Sequence, residues 1–464
     1  MLTLGGCLLA DKPDPALDIP QSYDRSSPKA AIAEAALPSL DWWRGFRSRE
    51  LTEIIEQARE ANLDIAAAIA RIVQADAQAR TSGAALLPSV TLDSSGTRSR
   101  ASRSSASGGS SGGSETNNLQ ATLTASYEID FWGKNRSALR AAEQTAVASR
   151  YDREVVGLST VVSAANAYFQ LLTAQDRLKA ARQNLASANR VLDLIKQRVN
   201  AGTASALETA QQESVVNTQR ATIPPLEQTV VQNRNALAVL MARSPESVRV
   251  RGGTLRAIAY PRVTPGLPSE LLTQRPDIRE AEAKLASANA NVENARAQML
   301  PSITLTGEGG YQSAVLRTLM RPESALFSLG AGLTQPIFDS GSLQGNLDLK
   351  KGLQDELLQN YRKAVISGFS DVENALDGIR QTAIRERVLA DVVNSSQRAF
   401  DISEQRLREG TTDMVTVLQT QQTLYSAVDS QIQARLSRVQ AIVTLYEALG
   451  GGWLPKPVEA NNAR

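Results

Sequence analysis

The sequence predicts a mixed α and β membrane protein: four strands per chain combine across three copies into a 12-stranded β-barrel, which a long antiparallel α-helical coiled-coil barrel continues. Three observations predict it. They are an internal duplication, heptad seams longer than any globular core requires, and four short stretches in which apolar and polar side chains alternate.

The duplication is read directly from the residues. Leu63-Asp64-Ile65 and Leu86-Leu87-Pro88-Ser89-Val90-Thr91-Leu92 return as Pro276-Asp277-Ile278 and Met299-Leu300-Pro301-Ser302-Ile303-Thr304-Leu305, an offset of 213. Arg198-Val199-Asn200-Ala201-Gly202-Thr203 returns as Arg406-Leu407-Arg408-Glu409-Gly410-Thr411 at an offset of 208. A period this long lies far above the roughly 20 to 50 residues of solenoids, so one structural unit has been copied once. The expected organisation is a segment 1–46 carrying an anchor and part of a collar, a first repeat 47–242, a collar linker 243–268, a second repeat 269–449 and a tail 450–464.

Within the first repeat Leu171, Ala174, Leu178, Ala181, Leu185, Ala188, Leu192, Ile195 and Val199 recur by threes and fours, a coiled-coil seam. It lies in a stretch without helix breakers between Gly133 and Gly202, matched by Gly341 to Gly410. At 1.5 Å per residue each helix would be roughly 100 Å long. Shorter helices are expected at 47–85, 203–241, 269–299 and 411–449, the second kinked by Pro224-Pro225 because neither proline has a donor. Trp42-Trp43, the Pro-rich linker and the tail would gather where the short helices meet.

The strands are expected at Ser89 to Thr97, Leu119 to Phe131, Ile303 to Tyr311 and Phe327 to Phe338. In the second, Leu119, Ala121, Leu123, Ala125, Tyr127, Ile129 and Phe131 alternate with polar residues, as in a strand with lipid on one side and water on the other. One such strand alone fits a half-buried sheet in a soluble protein better. Four of them, bounded by long helices and joined in the first hairpin by the Ser/Gly-rich stretch Ser94 to Ser114, favour the membrane. An open sheet edge is not tolerated in lipid and four strands cannot close, so the chain must associate with itself; two copies would fill the interior with side chains, and three would leave a lumen.

Composition removes most chemistry. The 464 residues include no His and one Cys, which excludes imidazole-dependent nucleophile pairs, His-ligated zinc and an internal disulfide. With 50 basic against 48 acidic residues, nothing favours nucleic acid, and no cofactor motif is present. No run of 18 or more apolar residues predicts a transmembrane helix. Leu4-Gly5-Gly6-Cys7 resembles the lipobox of bacterial lipoproteins, which would make Cys7 a lipid-bearing residue of a chain that starts upstream; an ordinary thiol is the alternative.

Taken together, Leu4 to Cys7, Asp41-Trp42-Trp43, both Leu-Pro-Ser-[Val/Ile]-Thr-Leu strand starts, Asp130-Phe131-Trp132-Gly133, and Glu409-Gly410-Thr411 through Val415-Thr416-Val417-Leu418 resemble the TolC/OprM family of outer-membrane efflux channels, in its lipoprotein, NodT-like branch. The resemblance implies a homotrimer in the outer-membrane lipid with a helical tunnel in the periplasm. It implies a passive role as exit duct for small molecules such as drugs, beside a periplasmic adaptor and an inner-membrane transporter of the RND type. A duct for type I protein secretion is barely distinguished by the channel sequence, though the lipobox and the Trp pair lean toward efflux; a non-conducting envelope-anchored coiled coil is the third reading, set apart by its lack of conductance. By resemblance the adaptor docks at the tips Gly202, Thr203, Gly410 and Thr411, although a glycine there is equally a plain helix cap. The periplasmic gate then falls at Val415, Thr416 and Gln419, the last two standing where relatives often place carboxylates, with Asp413 the nearest acid. Glu128, Asp130 and Glu308 would line the lumen and favour cations.

Overall fold

Both repeats fold into the same series of elements in a computed structural model, which describes Ala16 and residues 39–100, 115–261 and 268–453. The first runs α1 (Arg49–Ala61), α2 (Leu63–Ala84), β1 (Ser89–Arg100), β2 (Glu115–Ile129), α3 (Lys134–Asn200) and α4 (Ala206–Leu240). The second runs α5 (Pro268–Gln274), α6 (Pro276–Ala297), β3 (Ser302–Ser313), β4 (Ala325–Thr334), α7 (Ser342–Arg408) and α8 (Met414–Ala448). The long helices α3 and α7 each have 67 residues, and α4 and α8 each have 35. At 1.5 Å per residue α3 is about 100 Å long.

Contacts divide the chain into two units. Of the described residues, one unit holds 71–100, 115–149 and 280–361, including all four strands; the other holds 39–70, 150–261, 268–279 and 362–453.

In the first unit the strands form one antiparallel sheet in the order β1-β2-β3-β4. Its register pairs Thr91 with Thr124, Thr124 with Glu308 and Glu308 with Ser328, so these side chains share a face. The opposite face carries Val90, Leu92, Leu123, Leu305, Phe327, Leu329 and Leu333, all exposed, with Phe327 and Leu329 each at 84%. A continuous apolar face left open to solvent is what lipid contact requires and what a water-soluble sheet avoids. The outer strands β1 and β4 each have one unpaired edge. Helix ends pack beside the sheet: Val292, Ala295 and Leu347 form a small core, and Trp132 Nε1 donates to the carbonyl of Pro301 at 2.8 Å.

Strand limits differ from expectation at both ends of the sheet. β2 stops at Ile129 because Asp130 turns to accept the backbone N–H of Asn135 (3.0 Å) and Arg136 (2.9 Å), capping α3. β4 stops at Thr334, four residues short of Phe338, since Pro336 has no ladder donor. β1 continues three residues past Thr97 to Arg100.

The second unit centres on aromatics. Trp42, Trp43, Phe46, Leu51 and Ile55 pack with Phe169 and Leu172 of α3, Leu237 of α4, Leu255 and Ile258 of the linker, and Val443 and Tyr446 of α8. Trp42 stacks on Tyr446 with ring centroids 4.7 Å apart. From the tail, Trp453 meets the Tyr151 ring edge-on at 5.7 Å. The linker is pinned by Asp176, which accepts from Leu255 N at 2.8 Å and Thr254 Oγ1 at 3.1 Å. One described helix, α3, is long and apolar enough to cross a membrane by composition alone. Its apolar stretch supplies Val161, Val162, Ala165, Phe169 and Leu172 to this core, so packing accounts for it.

Each opening helix proves to be two. Asn62 interrupts the first, its Oδ1 accepting from Asp64 N and Ile65 N while its Nδ2 donates to the carbonyl of Leu240. Arg275 interrupts the second, followed by Pro276 at the first position of α6, where the missing donor costs nothing. By contrast, Pro224 and Pro225 do not divide α4, which remains one helix through both. The carbonyls they leave without a donor, on Arg220 and Ala221, belong to exposed residues that water can serve.

The face assignment gives a direct test. Leu123→Arg should destabilise the assembled barrel by about 2 to 4 kcal/mol near the bilayer midplane, while Thr124→Arg on the other face should be tolerated. Folding titrations in lipid vesicles measure both; equal losses would overturn the face assignment, and the opposite order would show the faces reversed.

Candidate functional site

Two helical hairpins end in matched turns. Gly202 and Gly410 have φ of +74° and +73°, a left-handed conformation that glycine adopts without strain. In each turn the glycine N–H and the next threonine N–H return to the preceding helix: Gly202 N to Val199 O and Thr203 N to Arg198 O, Gly410 N to Leu407 O and Thr411 N to Arg406 O. Arg198 also joins the two tips, donating from Nη1 to Leu407 O at 3.0 Å and from Nη2 to Thr203 O at 3.3 Å. Behind them Val191, Ile195, Phe400, Leu407, Met414 and Val417 form a shared core. Gly202, Thr203, Gly410 and Thr411 are therefore neighbours on one rigid end, and all four are exposed.

Immediately after each tip a side chain caps the returning helix. Ser205 Oγ accepts Glu208 N at 3.3 Å, and Asp413 Oδ1 accepts Thr416 N at 2.7 Å. The Thr416 backbone N–H holds the Asp413 carboxyl below its ordinary range. Its carboxylate is thus engaged in ending a helix.

Past the cap, Val415, Thr416 and Gln419 share the exposed side of α8, while Met414, Val417 and Gln421 turn inward. Val415 is 53% exposed. The offset of 208 places Leu207 at the corresponding position of α4, and it is 66% exposed. Sequence reasoning passed over Leu207, although the repeat it relied on points to that residue.

Above the tips a polar series fastens α8 to α3 and α4. Gln212 Nε2 donates to Ala188 O at 2.9 Å and to Gln421 Oε1 at 3.4 Å. Gln421 Nε2 donates to Tyr425 Oη, Tyr425 donates to Asn184 O at 2.8 Å, and Arg177 grips Asp429 through Nε (2.6 Å) and Nη2 (3.2 Å). Sequence reasoning missed this series as well. Its signal is faint: glutamines at inward positions of an otherwise apolar seam.

On the sheet, Glu128 and Glu308 share the polar face, as the pairings of Glu128 with Thr304 and of Thr124 with Glu308 require. Lys134 Nζ lies 2.5 Å from Glu128 Oε1, and Gln120 Nε2 donates to Glu308 at 3.3 Å. Asp130 stands apart: it lies beyond the strand, only 8% exposed, bound to two backbone N–H groups and to the Arg136 guanidinium. Cys7 lies outside the described residues. Among the described residues no cluster of acidic or Cys side chains could hold a metal ion.

A family model described as outer membrane efflux protein matches residues 54–243 and 267–451. The pyoverdine export outer membrane protein OpmQ of Pseudomonas putida is 40% identical over 456 residues, covering 97% of this chain and 96% of its own. The toluene efflux pump outer membrane protein TtgF of Pseudomonas putida is 32% identical over 473 residues, covering 99% and 98%. Among solved structures, the outer-membrane channel OprN superposes with a TM-score of 0.89 at 26% identity, covering 97% of this chain and 100% of its own. The open state of the MtrE outer membrane channel of Neisseria gonorrhoeae gives 0.83 at 28%, covering 96% and 98%.

Proposed function

The chain belongs to the outer membrane efflux protein family, and on that premise we propose how its own residues build and close the duct. As an outer-membrane component of a tripartite efflux pump it passes small molecules outward, in a fold that joins a β-barrel to a helical barrel; the family is one of channels, not of enzymes.

Three copies close the barrel, β4 of each chain meeting β1 of the next, and four strands from each give a lumen wide enough for cargo. The observation that carries this reading is the sheet: one exposed apolar face and two edges left without a ladder. Lipid satisfies the apolar face, but the edges are not stable in lipid unless they are paired. Glu128 and Glu308, repeated by threefold symmetry, make the lumen attractive to cations, while Asp130 serves as a cap. Beside the hairpin tips, Leu207 and Val415 form the apolar constriction, with Thr416 and Gln419 next to them and Asp413 holding the turn. The adaptor docks on the tips Gly202, Thr203, Gly410 and Thr411, a transporter of the RND type drives the pump, and a lipid on Cys7 anchors it. The cargo is pyoverdine or a molecule of its kind, since the relatives named for pyoverdine export are 39% and 40% identical, against 32% for the toluene pump component.

Planar-bilayer recording tests the duct and its closure together. Wild-type protein should conduct weakly with a cation preference. Leu207→Ala combined with Val415→Ala should raise conductance several-fold, and Glu128→Gln combined with Glu308→Gln should abolish the preference. No conductance from any of them would favour a non-conducting rod; conductance unchanged by the alanine pair would remove the gate assignment.

A further inference from the structure

The two hairpins of the sheet differ at their helix-distal ends. The β1–β2 connection is Ser/Gly-rich without a large apolar residue, whereas the β3–β4 connection contains Val315, Leu316, Leu319 and Met320 beside Arg317 and Arg321.

The second connection is held by its own hydrogen bonds. It forms 3-10 turns at Leu316–Thr318 and Pro322–Ser324. Ser313 Oγ and Thr318 Oγ1 are 2.7 Å apart, Ser324 Oγ donates to Thr318 O at 2.8 Å, Val315 N donates to Ser313 Oγ at 3.2 Å, and Leu319 is buried beneath. The same rigid turn nevertheless leaves Leu316 73% and Met320 71% exposed. Arg317 and Arg321 follow each of them by one residue and are exposed, with no ion-pair partner among the described residues. Near the other hairpin's end, Arg98 and Arg100 of β1 instead share the carboxylate of Glu115.

We propose that this connection is a seat for the phosphorylated glycolipid of the outer leaflet. Val315, Leu316 and Met320 extend the apolar face of β3 and β4 into the acyl layer. Arg317 and Arg321 reach the phosphate groups at headgroup level, where a guanidinium offers paired donors that match phosphate oxygens. Glu323 leaves the connection with a net charge of +1, from two Arg and one Glu. The leaflet follows from topology: the connection lies at the strand ends opposite the helices, which in this family occupy the periplasm. Ordering the apolar side chains is unfavourable in water and favourable against acyl chains, which accounts for a loop that is hydroxyl-braced yet apolar outside.

The test uses the full-length trimer in phosphatidylcholine nanodiscs doped with bisphosphorylated lipid A, with its dephosphorylated form, or with phosphatidylglycerol, and counts lipids retained on the protein by native mass spectrometry. Wild type should retain bisphosphorylated lipid A about tenfold better than the dephosphorylated form. Arg317→Gln with Arg321→Gln should lose that advantage, and Leu316→Ser with Met320→Ser should lower retention of both forms, each without change in conductance. Equal retention of the two lipid A forms by wild type overturns the proposal without any variant having to fold. Equal retention of phosphatidylglycerol overturns the assignment to the glycolipid. Raised conductance with unchanged retention would show a loop that covers the pore mouth instead.

Discussion

Trp43→Ala should lower the unfolding free energy of the collar by about 3 to 5 kcal/mol, the range for removing a large aromatic from a packed core. Trp43 is 2% exposed, edge-on to Trp42 at 5.9 Å and covered by the Arg59 guanidinium at 5.3 Å from its ring. The cavity would open where five parts of the chain converge: the 42–55 segment, α3, α4, the linker and α8. No single helix can move to fill it without leaving its other partners, so collapse should be poor and the loss near the upper end. Trp43→Phe separates volume from chemistry. Nε1 of Trp43 has no hydrogen-bond partner among the described residues, and phenylalanine dispenses with that donor while keeping most of the ring. Its loss should stay below about 1.5 kcal/mol. Urea unfolding monitored by near-ultraviolet circular dichroism measures both variants. A loss under 1 kcal/mol for Trp43→Ala would mean that the aromatic core does not hold the collar together.

What could be read in the sequence is what repeats along it. The seam from Leu171 to Val199 announces α3 because heptads are a property of one helix, and the alternation from Leu119 to Ile129 announces β2 because a pleat is a property of one strand. Element ends were less legible because they depend on distant partners. Asn62 looks like any polar helical residue until its amide is seen to reach Leu240 O, 178 residues away. Asp130 continues the alternating pattern of β2, but the backbone N–H groups that it serves begin α3. Pro336 is a different matter, since a donorless residue inside an expected strand is a local signal that argues against Phe338 as its end. In the candidate site, Val415 was legible by resemblance and Leu207 by the duplication. The links from Gln212 to Gln421 and from Tyr425 to Asn184 join residues on separate helices, and no periodicity in either helix encodes the pairing.

Arg275→Met should cost about 3 kcal/mol at neutral pH, and the deficit should shrink on acidification. The Arg275 side chain is 12% exposed; it holds Asp277 through Nε (3.0 Å) and Nη2 (2.7 Å), Asp371 through Nη1 (3.0 Å) and the carbonyl of Ala448 at 3.2 Å. Removing one partner of a buried ion pair costs about 3 to 5 kcal/mol, and the partial exposure of Asp277 and Asp371 places this case at the low end. Burial raises the Glu447 carboxyl above its ordinary range, the positive charge of Arg275 opposes that rise, and Asp371 and Asp277 add to it. A carboxyl with a raised folded pKa binds its proton more tightly in the folded state. Its burial therefore destabilises the fold most above that pKa, and the penalty is relieved as pH falls through it. Without Arg275 the opposing charge is gone, so Glu447 should rise further and the pH dependence should steepen. Glu447→Gln should stabilise the wild type slightly at neutral pH, and added to Arg275→Met it should recover part of the loss and flatten the pH profile. The first repeat supplies the control: there the junction is Asn62, which bonds Leu240 O as Arg275 bonds Ala448 O but carries no charge. Asn62→Ala should therefore destabilise equally across the same pH range. Urea midpoints for these variants at neutral and acid pH decide the matter; an Arg275→Met deficit that does not change with pH would show that solvent already screens the carboxylates around it.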